Sequence, residues 1–178
     1  TRLAWQGEGR CVTEESFNDI KPILRTSLKL AHISRTLSRM QQHMAMVLPE
    51  DTTLRQELSD CQERLETAAK IFRQQAARMC PKDIRTLLTS VPGIGEIVVT
   101  VLIAEIGDID RFKSSKALIA YAGLDPKIRQ SGTTLHRNGK LTKRGSPHLR
   151  WALYLAAAAA QRYDQELKRT YDKKRAEG

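Results

Sequence analysis

Seven basic residues, Lys127, Arg129, Arg137, Lys140, Lys143, Arg144 and Arg150, fall within one short stretch of this chain. They are interleaved with Ser131, Gly132, Thr133, Thr134, Thr142 and Ser146. Lys and Arg neutralise phosphates, and small hydroxyl residues let a polyanion come close. The same mixture suits phosphoryl transfer. Guanidinium groups stabilise negative charge on the phosphorus and help a serine hydroxyl lose its proton. Ser131 and Ser146 both meet that description, and their spacing does not choose between them. A run of charge is ordinarily a solvated face, and a lone serine is ordinarily a turn residue. Clustered Gly and Ser among the charges weigh against a merely solvated helix.

A second candidate is Leu88 followed by Val91-Pro92-Gly93-Ile94-Gly95 and an apolar run. The pattern resembles a helix-hairpin-helix DNA-binding motif. Gly93 and Gly95 would let the backbone approach a phosphate, and the next helix N-terminus would offer free N–H groups. Such a grip holds the backbone without reading bases. A plain turn between packed helices is the competing reading, because Glu96 stands beside the nest and the turn carries no Lys or Arg.

The charge distribution points the same way. Residues 1–110 hold 14 basic and 15 acidic residues, a net of −1, whereas residues 111–178 hold 16 basic and 5 acidic, a net of +11. The last third therefore carries all the excess charge, which favours nucleic acid as partner, then an anionic membrane surface. No apolar run approaches the roughly 18 residues of a membrane span. The start, Thr1-Arg2-Leu3-Ala4-Trp5-Gln6, has no apolar signal region and no Met, and reads as part of a longer protein. Cys11, Cys61 and Cys80 are odd in number and lack a C-x-x-C, so free thiols in a reducing cytoplasm are expected. His32, His43, His136 and His148 are scattered, and no His/Cys metal site is expected.

Helices must position these candidates. Residues 1–19 read as irregular. Residues 20–80 read as an antiparallel, coiled-coil-like helical hairpin. Its first stripe is Leu30, Ile33, Leu37, Met40, Met44 and Val47; its second runs through Leu54, Leu58, Cys61, Leu65, Ala68 and Phe72, then Ala76 and Met79. Two ordinary core helices would give much the same pattern. Residues 81–178 read as a compact helical domain. It has a short helix over 82–89, an apolar helix over 96–106, and a helix capped by Ser114 or Ser115 and ended by Gly123. A long basic loop over 124–146 follows, then a helix from Pro147 continuing into a charged tail. The predicted class is mainly α, with weak strand signal throughout.

An ordered series now carries a resemblance: Val91-Pro92-Gly93-Ile94-Gly95, Ala104-Glu105-Ile106-Gly107-Asp108, Arg111-Phe112-Lys113-Ser114, Ala120-Tyr121-Ala122-Gly123-Leu124-Asp125-Pro126, Gln130-Ser131-Gly132, and Leu141-Thr142-Lys143-Arg144-Gly145 with Leu149-Arg150. In this order it resembles the C-terminal, serine-bearing domain of the insertion-sequence one-ten/one-sixteen/nine-oh-two transposase family, related to the Piv DNA invertases. The likeness covers about residues 85–165.

The resemblance implies a DNA transposase or site-specific recombinase. Its serine nucleophile lies in the Ser-Gly pair, hence Ser131 here. It implies Mg²⁺ held by four carboxylates of an N-terminal RuvC-like domain, which this sequence does not contain, so the fragment alone is expected to be inactive. It also implies DNA as partner, a structured guide RNA in some members, and a homo-oligomer, dimer or tetramer, through the hairpin. The setting it implies is the bacterial cytoplasm, on the nucleoid when bound to DNA. Ser146, where the family commonly has Asn or Asp, fits a helix N-cap before Pro147. Two rival functions remain: a non-catalytic helix-hairpin-helix nucleic-acid-binding module, and a helical adaptor dimerised by its hairpin.

Overall fold

The computed structural model describes residues 14–47, 52–129 and 137–177. The architecture is mainly α. In chain order the elements are α1 (Glu14–Val47), α2 (Thr52–Met79), α3 (Lys82–Thr89), α4 (Glu96–Ile106), α5 (Ser115–Ala122), β1 (Pro126–Arg129), β2 (Arg137–Leu141), α6 (Pro147–Tyr163) and α7 (Gln165–Ala176).

The core is organised around α4. Every residue from Val98 to Glu105 is buried, as expected of a helix apolar on all sides. Phe17, Ile20 and Leu24 of α1, with Ala76 and Cys80 at the end of α2, pack against one side of it. Leu149, Ala152 and Ala156 of α6 close the other. Helix α1 begins at Glu14, inside the stretch 1–19 expected to be irregular. The physical reason is that Phe17 is a core residue. Burial also silences the Cys80 thiol: desolvation pushes its pKa up to about 11.

Helices α1 and α2 run antiparallel. Ser27 Oγ donates to Ala69 O at 2.8 Å, and Ser34 Oγ donates to Glu66 Oε1 at 2.8 Å. The seam between them is therefore lined by small side chains, with Ser27, Ser34, Ala69 and Ala76 buried. The apolar stripe read from the sequence fills this seam only in part. Ala76 is buried and Leu30, Leu37, Met44, Leu58, Leu65 and Ala68 are half-buried, whereas Ile33, Met40, Val47, Leu54 and Phe72 are exposed.

Two strands replace part of the long loop expected over 124–146. β1 and β2 form an antiparallel ribbon with Pro126 opposite Leu141, Ile128 opposite Asn138 and Arg129 opposite Arg137. A register irregularity lies between Pro126 and Ile128. The tail is also not one continuous helix. Asp164 interrupts it and caps α7 by accepting from the Glu166 and Leu167 N–H groups. Among the described residues no helix is long and apolar enough to cross a membrane.

Candidate functional site

The ribbon β1–β2 organises the basic segment. Lys127 and Arg129 stand on β1, and Arg137 and Lys140 on β2. The last register pair sets Arg129 against Arg137. The intervening residues 130–136, which contain Ser131, lie outside the described residues.

The base of the ribbon is tied to the end of α5. Thr142 N donates to Asp125 O at 2.9 Å, Lys143 N to Gly123 O at 3.1 Å, and Ser146 N to Tyr121 O at 3.0 Å. The Thr142 hydroxyl also donates to the Asp125 carboxylate. Arg150 Nη1 donates to Ala122 O at 3.2 Å. This crossing is too close for side chains at two positions. A Cβ on Gly145 would lie 1.9 Å from Tyr121 O, and one on Gly123 would lie 2.7 Å from Gly145 N. Gly123 also needs its φ of +68° to end α5. Lys143 and Arg144 are thus exposed side chains on a rigidly held backbone.

Beneath this crossing lies the one buried carboxylate of α4. Glu105 Oε1 and Oε2 accept from Arg25 Nε and Nη2 at 2.8 and 2.9 Å, a bidentate pair. Lys21 Nζ lies 3.6 Å from Oε2. The Ser146 hydroxyl donates to Oε2 at 2.9 Å. Burial alone would raise the Glu105 carboxyl. The hydrogen bonds from Arg25 and Ser146 and the charges of Lys21 and Arg25 outweigh it and hold the group below its usual range. The Glu105 carbonyl meanwhile accepts from the Tyr121 hydroxyl at 3.1 Å and from Arg111 Nη2 at 3.4 Å. The Arg111 guanidinium sits over the rings of Phe112 and Tyr121, 4.6 and 4.7 Å from their centroids. Glu105 therefore joins α1, α4, α5 and α6, and these fix where the ribbon emerges.

The α3–turn–α4 unit has its own geometry. Gly93 has a φ of +89°, and a Cβ there would come within 2.6 Å of Ala156 O and of Ala160 N. Its bareness lets the turn lie on the backbone of α6, where Ala156 and Ala160 are buried. Gly95 precedes α4 in extended conformation, and a Cβ there would meet nothing within 4 Å. Glu96, in the first turn of α4, pairs with Arg85 of α3.

Residues 85–172 match the model of the Transposase IS116/IS110/IS902 family. This stretch belongs to that family. The chain is similar to a 43.6 kDa protein of insertion element IS110 from Streptomyces coelicolor, with 38% identity over 93 residues, or 52% of this chain and 22% of the relative. It is similar to the pilin gene-inverting protein of Moraxella bovis, 40% identical over 72 residues, which is 40% of this chain and 22% of the relative. It also resembles the transposase for insertion sequence element IS1111A of Coxiella burnetii, 32% identical over 117 residues, 66% of this chain and 28% of the relative. The aligned stretches span about a quarter of the length of these relatives.

Within this transposase-family domain the described candidate residues fall on three parts of the fold. Lys143, Arg144 and Arg150 lie at the crossing under the ribbon. Lys127, Arg129, Arg137 and Lys140 are on the ribbon itself. Gly93 and Gly95 lie apart, at the α3–α4 turn. Ser146, one of the two candidate serines, is the N-cap of α6: its oxygen accepts from Leu149 N at 3.2 Å while its proton goes to Glu105. Glu105 was given no role from sequence. Its signal was there, as a single carboxylate inside the apolar run from Ile97 to Ile106.

Proposed function

We propose that this chain is the C-terminal part of a DNA transposase or site-specific recombinase, with Ser131 as the nucleophile of strand cleavage and exchange. The observation that carries this reading is the register of the ribbon. It sets Arg129 and Arg137 opposite each other at the two ends of the segment that holds Ser131. A phosphate drawn to that end would meet the segment bearing the serine hydroxyl. Ser146 is less suited to the role, because its hydroxyl is engaged at both the α6 N-terminus and Glu105.

In this reading the Ser131 oxygen attacks a backbone phosphorus. An oxygen–phosphorus ester to the protein forms, one deoxyribose oxygen leaves, and the serine proton ends on that oxygen. A hydroxyl of the partner strand reverses the step and restores the serine. Arg129, Arg137, Lys140, Lys143 and Arg144 neutralise phosphates around it. The same reading takes Mg²⁺ as a cofactor of the complete enzyme, held by carboxylates of an RuvC-like domain. Among the described residues no three His, Cys, Asp or Glu side chains cluster to hold a metal. A structured guide RNA fits the same basic surface. The exposed apolar residues of the α1–α2 hairpin support self-association of the protein through that hairpin.

The test is DNA strand exchange by the complete protein. Ser131→Ala should abolish it, while Ser146→Ala should lower stability and leave the chemistry measurable. Full recombination by Ser131→Ala would overturn the nucleophile, whereas nucleic-acid binding without strand exchange by the complete wild-type protein would favour the rival, a binding module built on the α3–turn–α4 unit.

A further inference from the structure

Helix α6 has a face that the core does not use. Leu149, Ala152, Ala156 and Ala160 are buried. Away from them Trp151 and Tyr154 are exposed, at 36% and 70%. They stand three residues apart and so share a face. Arg162, also exposed, follows Trp151 by eleven residues and lies almost in line with it along the helix. At the other end the exposed Lys143 and Arg144 precede the helix. Between Pro147 and Tyr163 the helix carries no carboxylate at all.

The face therefore offers two aromatic rings, cations before and after them, and no anion. Phosphates suit its ends and flat π-faces suit its middle. A nucleic acid with unpaired bases supplies both. A duplex supplies the phosphates but keeps its base faces stacked inside. A second copy of this face would set cation against cation. We infer that the Trp151–Tyr154 face of α6 is a stacking platform for unpaired bases, which gives this domain a preference for single-stranded segments over duplex. The inference rests on the nucleic-acid reading above and adds the strand state that is held.

The experiment measures binding of this chain to a short oligothymidylate and to a duplex of the same length, across a salt series. Trp151 emission is followed in a Trp5→Phe background. Stacking predicts quenching of Trp151 by the single strand. Tyr154→Ala should weaken single-strand binding by about fivefold or more, with the salt slope and duplex binding unchanged. Tyr154→Phe should restore it, since the ring returns without the hydroxyl. Circular dichroism of each variant checks the fold. If Tyr154→Ala and Trp151→Ala leave single-strand affinity unchanged, or weaken duplex equally, the platform is overturned. Duplex binding still sensitive to Lys143→Ala and Arg144→Ala would then leave the recombinase reading standing. A change in sedimentation with Trp151→Ala, without a change in single-strand affinity, would reassign the face to contact between copies. Failure to bind either polymer at low salt would count against the nucleic-acid reading itself, and the platform would fall with it.

Discussion

The Ser146 hydroxyl donates to the Glu105 carboxylate at 2.9 Å, and its oxygen accepts from the Leu149 N–H at 3.2 Å. One side chain thus caps α6 and ties that cap to the buried charge of α4. Arg25 and Lys21 of α1 complete the tie. The arrangement couples the base of the helical hairpin to the point where the basic ribbon returns to the core.

Glu105→Gln keeps the shape and removes the charge. Arg25 is half in solvent, so part of its loss is repaid by water. A destabilisation of about 2 kcal/mol is expected, from weakened hydrogen bonds to a charged acceptor. Urea denaturation measures it. The pH dependence gives a second readout. Glu105 is held below its usual range in the folded protein. Its contribution is therefore complete above about pH 4.3, the value expected in the unfolded chain, and is lost as pH falls through the lower folded value. The gap between the wild type and Glu105→Gln should close over that acidic window. A gap that persists there would mean the charge is not what Glu105 contributes.

Glycine substitutions separate packing from surface roles. Gly145→Ala places a methyl 1.9 Å from Tyr121 O, and Gly93→Ala places one 2.6 Å from α6 backbone atoms. Each should cost about 3 kcal/mol or more, from overpacking against backbone that cannot yield. Gly95→Ala meets open space and loses only cap preference, about 1 kcal/mol or less. Thermal melts of the three variants check the order. Gly95→Ala is thus the variant fit for testing a phosphate grip at the α3–α4 turn, since its fold survives.

Part of this was legible in the residues. Ser114, Gly123, Ser146 and Pro147 mark helix ends by their own chemistry, and each caps or starts a helix where expected. The all-apolar run of α4 announced a buried helix. The ribbon was not legible. β1 reads Pro-Lys-Ile-Arg and β2 reads Arg-Asn-Gly-Lys-Leu, which lack the apolar alternation that marks a half-buried strand. Main-chain and side-chain bonds at Asp125 and Thr142 close its base instead. The seam of the hairpin was misleading for a related reason. Ser27 and Ser34 bury their hydroxyls on α2, so small polar residues share the contact with the half-buried members of the stripe, and Ile33 and Met40 stay exposed.

The opposed arginines of the ribbon make a signed prediction. Without ligand, Arg137→Thr removes a like-charge pair and supplies a good strand former. Stability should hold or rise by about 0.5 kcal/mol. DNA affinity should fall across sequences, and the slope of log affinity against log salt should shrink by about one unit, as for loss of a single phosphate contact. Unfolding and salt-series binding are measured on the same protein. Loss of stability together with unchanged binding would mean that the pair serves the ribbon rather than the anion.

The exposed stripe of the hairpin calls for a partner that the seam does not supply. Met40 is 52% exposed and Val47 is 59% exposed. Met40 and Val47 are seven residues apart, the repeat that keeps one helix edge on another helix. Met40→Glu with Val47→Lys should leave the monomer's helicity intact, because neither side chain is in the core, yet should weaken self-association measured by sedimentation velocity. Burying a pair of such side chains stabilises an interface by about 3 kcal/mol, so a shift of a hundredfold in the dimer constant is the expected scale. A wild-type chain that sediments as a monomer at high concentration would remove the hairpin as the site of assembly. Recombination would then have to bring its protomers together on the nucleic acid alone.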